Sequence, residues 1–244
     1  MNYHQYYPID VVNGPGTRCT LFVAGCVHQC PGCYNKSTWR LNSGQPFTPA
    51  LEDRIIADLN DTRVPRQGLS LSGGDPLAAN DRQLSWLVAQ LEEIPHLQRL
   101  RLHTRLPVVI PDRVDDHLLG WLGNTRLQKV MVLHINHANE IDQAVVAACA
   151  RLKQAGVTLL NQSVLLRDIN DDVTTLATLS ERLFEAGILP YYLHAFDPVQ
   201  GAAHYDVTDE RAKALVQQLL EHLPGFLMPR LVREVPGRMS KTPL

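Results

Sequence analysis

Aromatic residues make up only 6% of the 244, and no apolar run approaches the roughly 18 residues of a membrane span, so a membrane-embedded chain is not expected. Charge of one sign is also missing. Lysine and arginine total 23 against 25 acidic residues, a formal net charge of −2. That balance gives no reason to expect nucleic acid or a membrane surface as a partner. The first ten residues, MNYHQYYPID, lack a basic stretch followed by an apolar one, so no secretory leader is expected. Cysteines number only five, an odd count, and three of them crowd into CVHQCPGC at 26–33. A disulfide framework is therefore not expected, and a reducing, cytoplasmic setting is. No short repeat or low-complexity tract is visible.

What the chain does have is alternation. Six short apolar runs read as strands: RCTLFVAG (18–25), GLSLS (68–72), RLRLHT (99–104), KVMVLHI (129–135), VTLLNQSVLL (157–166) and LPYYLHAF (189–196). Helical patterns lie between them. Thr48 reads as an N-cap with Pro49 as the first helical residue. Leu84, Leu87, Val88 and Leu91 share one face of a helix over 80–93, as do Ile141, Val145, Ala148 and Leu152 in a helix capped by Asn139 and ended by Gly156. Leu176, Leu179 and Leu183 repeat the pattern before Gly187. Thr208 caps a last helix, ahead of the apolar piece GFLMPRLV (225–232). Six strand–helix units imply an α/β fold, a partial (β/α)6 TIM-like barrel with its helices outside.

In such barrels chemistry gathers at the C-terminal ends of the strands, and the polar residues fall there. Cys26, Cys30 and Cys33 follow the first strand, SGGDP (72–76) the second and HTR (103–105) the third. His134 to His137 end the fourth, Asn161 and Gln162 interrupt the fifth, and His194 and Asp197 end the sixth. Thiolates take soft metals and iron–sulfur clusters. Zinc commonly wants four ligands in two pairs, whereas C-x3-C-x2-C supplies three. Cys19 begins a strand and faces the wrong way to be a fourth. Three cysteines on one tight loop suit a [4Fe–4S] cluster with one iron left open. Cys149 lies in apolar helical periodicity and reads as core filler.

C-x3-C-x2-C after the first strand, with Gly73-Gly74-Asp75-Pro76 after the second, resembles the radical S-adenosylmethionine superfamily. The resemblance implies that the open iron binds S-adenosylmethionine and that an electron from the cluster cleaves it to a 5′-deoxyadenosyl radical. It also implies that Gly73, Gly74 and Asp75 border the methionyl group. Gly32 stands where many members carry an aromatic residue, and Tyr34 is its substitute beside the adenine. Residues 1–77, with NGPGTRCTLFVAGCVHQCPGCYNKSTW and LSLSGGDPL, resemble the activating proteins of anaerobic ribonucleotide reductase. Residues 73–244 resemble the lysine 2,3-aminomutases of the elongation factor P branch, through HTRLPVVIP, HINHANEID, GVTLLNQSVLLRDIND, PYYLHAFDPVQGAAH and SKTPL. The chain thus reads as one domain of hybrid sequence, joined at the SGGDPL that both families share.

The second resemblance implies pyridoxal 5′-phosphate attached to Lys241 and lysine or another small amino acid as substrate. Asp197 would meet the substrate ammonium, with Glu234 as a second carboxylate. Arg105 would meet a phosphate or carboxylate through a two-pronged fork. His134, His137, Asn161 and Gln162 are candidate cofactor contacts, with His134 and Gln162 assigned to S-adenosylmethionine. The first resemblance implies instead a protein partner, anaerobic ribonucleotide reductase, on which a glycyl radical would be formed. Either activity implies an electron donor such as flavodoxin. A third expectation is an inactive hybrid that only holds the cluster, because Tyr34, Asn35 and Lys36 follow the cysteine loop where aminomutases carry arginines.

Overall fold

The run RCTLFV places β-branched and large apolar residues where a strand buried on both faces needs them. In the computed structural model, which describes residues 2–10, 17–26, 36–40, 42–64, 68–197, 201–235, 238 and 241–244, this run is a strand in the middle of one sheet. The elements in chain order are β1 (Asn2–Asp10), β2 (Arg18–Val23), β3 (Gln45–Pro46), α1 (Pro49–Asn60), β4 (Gly68–Gly73), α2 (Asp81–Glu92), β5 (Arg99–Thr104), α3 (Leu106–Val109), α4 (Asp116–Asn124), β6 (Gln128–Leu133), α5 (Gln143–Gln154), β7 (Val157–Val164), α6 (Val173–Glu185), β8 (Leu189–His194), α7 (Asp209–Leu219), β9 (Arg230–Arg233) and β10 (Thr242–Pro243).

The sheet order is β10-β9-β8-β7-β6-β5-β4-β2-β1-β3. From β2 through β9 every neighbouring pair is parallel. This is the open, partial barrel that the alternation implies, with one parallel strand more than six. The additional strand, β9, comes from the end of the apolar piece 225–232 and pairs Tyr192 with Arg230 and His194 with Val232. Antiparallel strands finish both edges: β1 lies on β2, β3 on β1, and β10 on β9. Two-residue edge strands expose little unpaired backbone, which discourages further pairing.

Helix ends follow local chemistry. The Thr48 hydroxyl accepts from Leu51 N at 3.3 Å, with Pro49 opening α1, and Thr208 accepts from Arg211 N at 3.3 Å. Asn139 does not cap α5. It lies in a short 3-10 turn over Ala138–Glu140, and the Asp142 carboxylate caps the helix through Val145 N at 2.9 Å. Asp outcompetes a residue three positions earlier because the turn intervenes and a carboxylate suits the positive helix end. Gly156 (φ +77°) and Gly187 (φ +78°) close α5 and α6 in the left-handed conformation.

The core lies between sheet and helices. Leu69, Leu71, Leu100, Leu102, Met131 and Leu133 pack beneath Leu84, Leu87, Val88 and Leu91 of α2 and Val145, Ala148 and Leu152 of α5. Each such buried aliphatic side chain contributes roughly 1.5–3 kcal/mol. A second cluster joins Leu193 and Leu231 to Leu215 and Leu219 of α7. Among the described residues no helix is long and apolar enough to cross a membrane.

Candidate functional site

The cysteine loop begins at the C-terminal end of β2. Gly25 N (φ +97°) and Cys26 N both donate to Thr38 O, at 2.8 and 2.9 Å. Residues 25–26 and Thr38 thus pin the entry and exit of the loop to each other. Cys30, Cys33, Gly32 and Tyr34 lie outside the described residues, so of the expected cluster ligands only Cys26, partly exposed at the strand end, is described. Cys19 is fully buried and accepts from the Tyr6 hydroxyl at 3.2 Å, in keeping with its exclusion as a ligand.

Beside it stands the glycine pair. Gly73 has φ +102°, and a Cβ there would come within 2.7 Å of Val23 O. Gly74 N donates to Val23 O at 2.7 Å, and a Cβ on it would sit 3.1 Å from that oxygen and 3.5 Å from Cys26 N. Only glycine lets the end of β4 lie this close to the backbone of the cysteine loop. Asp75 is turned into the protein. Its Oδ1 accepts from Thr104 Oγ1 at 2.6 Å and Leu77 N at 3.0 Å, and its Oδ2 from Arg105 N at 2.7 Å and Leu106 N at 3.2 Å. Burial pushes this carboxyl above its ordinary pKa while the four hydrogen bonds pull it back. Asp75 therefore clasps the loop after β4 to the loop after β5.

On the other strands, side chains converge inside the barrel. Lys241 is 7% exposed, and its ammonium is bonded to Glu234 Oε1 and lies 5.6 Å from the centre of the Tyr192 ring. The β10–β9 pairing, Thr242 with Arg233, holds it there. Asp197 belongs to the same cluster: burial and the neighbouring Glu234 raise its pKa, while Arg233 and Lys241 pull it down. His134 and His194 are driven to about 4 and about 3 by burial first and then by nearby positive charge, Lys241 included. His103 is lowered well below its ordinary value by burial, Arg101 and His134. All three imidazoles are neutral near pH 7. Gln162 Nε2 lies 2.8 Å from His194 Nε2, and Gln162 Oε1 is buried with no hydrogen-bond partner among the described residues.

Three other sequence candidates are engaged elsewhere. The Arg105 Nη2 pairs with Glu140 at 2.7 Å, and Glu140 in turn accepts from Asn136 N and His137 N. His137 caps the 3-10 turn by accepting from Asn139 N at 3.1 Å. Asn161 exchanges hydrogen bonds with Ile135 N and O and donates to Ser163 Oγ, so it ties β7 to the end of β6 and does not line the cofactor side. Strand alternation puts Gln162 on the opposite face, and β8 is bulged against this point: Asn161 pairs with Pro190 but Gln162 pairs with Tyr192, leaving Tyr191 as the extra residue. Sequence reasoning missed Tyr192 and Arg101. The polar alternation of RLRLHT, with Arg101 and His103 on one face of β5, was the available signal for the latter.

Comparison with known proteins agrees with this geometry. A family model described as "4Fe-4S single cluster domain" matches residues 12–100, which include all three clustered cysteines. The L-lysine 2,3-aminomutase of Escherichia coli K12 is 56% identical over 227 residues, 92% of this chain and 65% of that protein. The Haemophilus influenzae protein of the same name is 48% identical over 235 residues, 91% of this chain and 65% of that one. The anaerobic ribonucleoside-triphosphate reductase-activating protein of E. coli K12 is 84% identical over 77 residues, 32% of this chain and 50% of that protein. A match covering 92% of the chain reaches well into the first 77 residues, so the aminomutase likeness is longer than residues 73–244. Among solved structures, a radical SAM methyltransferase from Sphaerobacter thermophilus superposes with TM-score 0.57 at 15% identity, covering 88% of this chain and 66% of that one. The radical SAM fold is shared at that identity. The chain has the radical S-adenosylmethionine fold and is similar in sequence to the aminomutases and the activating protein named above. It spans 65% of the length of those two aminomutases and 50% of the activating protein.

Proposed function

We propose that the chain reductively cleaves S-adenosylmethionine at a [4Fe–4S] cluster held by Cys26, Cys30 and Cys33, and that the interior around Lys241 takes pyridoxal 5′-phosphate and a lysine-like amino acid. The observation that carries the second half is the burial of Lys241, which is 7% exposed. A lysine is ordinarily solvated, and taking its ammonium out of water is costly. When bound, pyridoxal phosphate supplies an electron sink. The chain's own part is positional. Glu234 holds the Lys241 ammonium and can take the proton that the amine must lose before it reacts. Asp197 offers a second carboxylate for a substrate ammonium. Neutral His134 and His194 and the unpaired Gln162 Oε1 offer hydrogen bonds without adding charge.

For the cluster half, the support is the glycine-lined approach of β4 to Cys26 together with the cluster-domain match. Residues 1–77 would form the cluster and S-adenosylmethionine half and residues 78–244 the substrate half of one domain. Gly73, Gly74 and Tyr34 would border S-adenosylmethionine, with Asp75 acting through the loops it clasps. The electron would come from a donor of flavodoxin type. The 84% identity over 77 residues favours a second reading, activation of an anaerobic ribonucleotide reductase, which needs no pyridoxal phosphate.

Anaerobic reconstitution tests both. About four irons per chain and 5′-deoxyadenosine with dithionite are expected, and Cys30→Ala should lose both. Borohydride should fix pyridoxal phosphate on Lys241, seen as a labelled C-terminal peptide, and lysine should yield β-lysine. No label on Lys241, with glycyl radical formed on added reductase, would decide for activation. A full cluster that makes no 5′-deoxyadenosine would leave only an inactive cluster-binding hybrid.

A further inference from the structure

A cavity lies at the opposite end of the barrel from the cysteine loop. It measures about 550 Å³ and opens among the first residues of the parallel strands. Thr17 and Arg18 come from the start of β2, Gly68 to Ser70 from β4, Arg99 and Arg101 from β5, Val130 from β6, and Leu160 and Tyr191 close it. That volume suits a small molecule. Among its described lining residues three are arginines and none is an acid.

Arg101 is the informative one. It is 8% exposed, its Nε bonds His103 Nε2 at 2.8 Å, and its guanidinium lies 5.3 Å from the centre of the Tyr191 ring. Its Nη2 is buried without a hydrogen-bond partner among the described residues. A buried, permanently charged donor left unpaired costs more than folding ordinarily tolerates. Arg18, 6% exposed, has its positive charge disfavoured first by burial and then by the neighbouring charge of Arg101. Asp10 offsets part of that charge from the β1 side.

We propose that this basal cavity is an anion site that holds a phosphate group, with Arg101 Nη2 as its principal donor and Arg99 at its rim. A tetrahedral dianion satisfies the unpaired Nη2 and relieves the repulsion between Arg18 and Arg101, two needs that one ligand meets. The site is separate from the cysteine loop, and its test does not require a cluster, S-adenosylmethionine or a reactive Lys241.

The experiment is calorimetric titration of the purified full chain with inorganic phosphate at fixed ionic strength, with chloride as the control anion, repeated with pyridoxal phosphate and with pyridoxal. Wild type should bind inorganic phosphate, and Arg101→Gln should weaken it about tenfold or more. Leu160→Phe, which narrows the cavity without touching a charge, should weaken it too and serves if Arg101→Gln does not fold. Arg101-dependent binding of pyridoxal phosphate far tighter than that of inorganic phosphate, with none of pyridoxal, would identify the phosphate as a cofactor's. Equal binding of the two phosphates would identify a free ion. No binding of inorganic phosphate above the chloride control, or binding unchanged in both variants, would overturn the site.

Discussion

The two sides of the barrel mouth are made of different material. Beside β2 and β4 the surface is backbone: Gly25 and Cys26 N–H groups on one carbonyl, and Gly73 and Gly74 pressed onto Val23. Beside β5 to β9 it is side chain: His103, Gln162, His194 and Lys241 are buried, with half-buried His134 beside them and the exposed Glu234 holding the Lys241 ammonium from the rim. A backbone platform asks little of neighbouring side chains, so it can stand beside many interiors. An interior of buried polar groups asks that every partner be present. The two meet at Asp75, which belongs to the SGGDP segment common to both resemblances and reaches from β4 to the backbone after β5. Arg113 reinforces the same stretch, donating to Leu77 O at 2.8 Å and to Asp81 at 3.0 Å. Asp75 thus ties the backbone platform to the side-chain interior within one continuous sheet.

The sharpest way to break that comparison is to open the clasp. Asp75→Ala would strand the Leu77 and Arg105 N–H groups and the Thr104 hydroxyl in a buried place, while Leu106 N keeps Thr104 Oγ1, with an expected loss of about 4 kcal/mol. Asp75→Asn, which keeps two acceptor lone pairs, should lose less. Denaturant unfolding measures both. If Asp75→Ala costs under about 1 kcal/mol, the two halves do not depend on this residue. Gly73→Ala attacks the platform alone. A methyl group 2.7 Å from Val23 O, at φ +102°, should cost about 3 kcal/mol and lower iron retention after reconstitution. Pyridoxal phosphate fixation on Lys241 should persist in the fraction that folds. Loss of both together would mean that platform and interior are one cooperative unit.

The interior should respond to acid in its own way. His194 has a folded pKa of about 3 against an ordinary 6.5, so between those values the unfolded chain binds the proton and the folded chain does not. Stability must then fall as pH falls through that window and stay flat above it. From pH 6.5 to 5 the loss is about 2 kcal/mol for this histidine. His194→Gln should flatten the profile by that amount. An unchanged slope in the variant would show that His194 is solvated or already charged at neutrality.

Periodicity made the scaffold legible: the faces of α2, α5 and α6 and the caps Thr48 and Thr208 were all readable, because apolar spacing and capping are local. What escaped depends on distant partners. β9 is four residues long and is a strand only because β8 offers an open edge. Lys241 is buried only because Thr242 and Pro243 pair with β9. Asp75 stands in a recognisable motif, but its partners lie about thirty positions away, at 104–106. Asn161 and Gln162 point to opposite faces of β7 as strand alternation requires, but the one-residue bulge at Tyr191 of β8, which sets Gln162 against Tyr192, is announced by no alternation of residue types.

The smallest expected effect separates the thiols of the two regions. Cys149 faces inward from α5 with no exposure, and burial pushes its thiol up to about 11, with Lys153 only partly opposing. At pH 8 such a sulfur is almost wholly protonated and shielded, and it is the thiolate that alkylates or binds metal. In the folded chain Cys149 should stay unlabelled by iodoacetamide, and in denaturant it should label fully. Cys149→Ala should remove one sulfur's worth of packing, about 1 kcal/mol, and leave the iron content of reconstituted protein unchanged. Cys26→Ala should do the reverse, with little loss of packing and no cluster. Iron lost in the Cys149 variant would mean that the interior, through α5, reaches the platform after all, and that the division between backbone and side-chain halves is drawn in the wrong place.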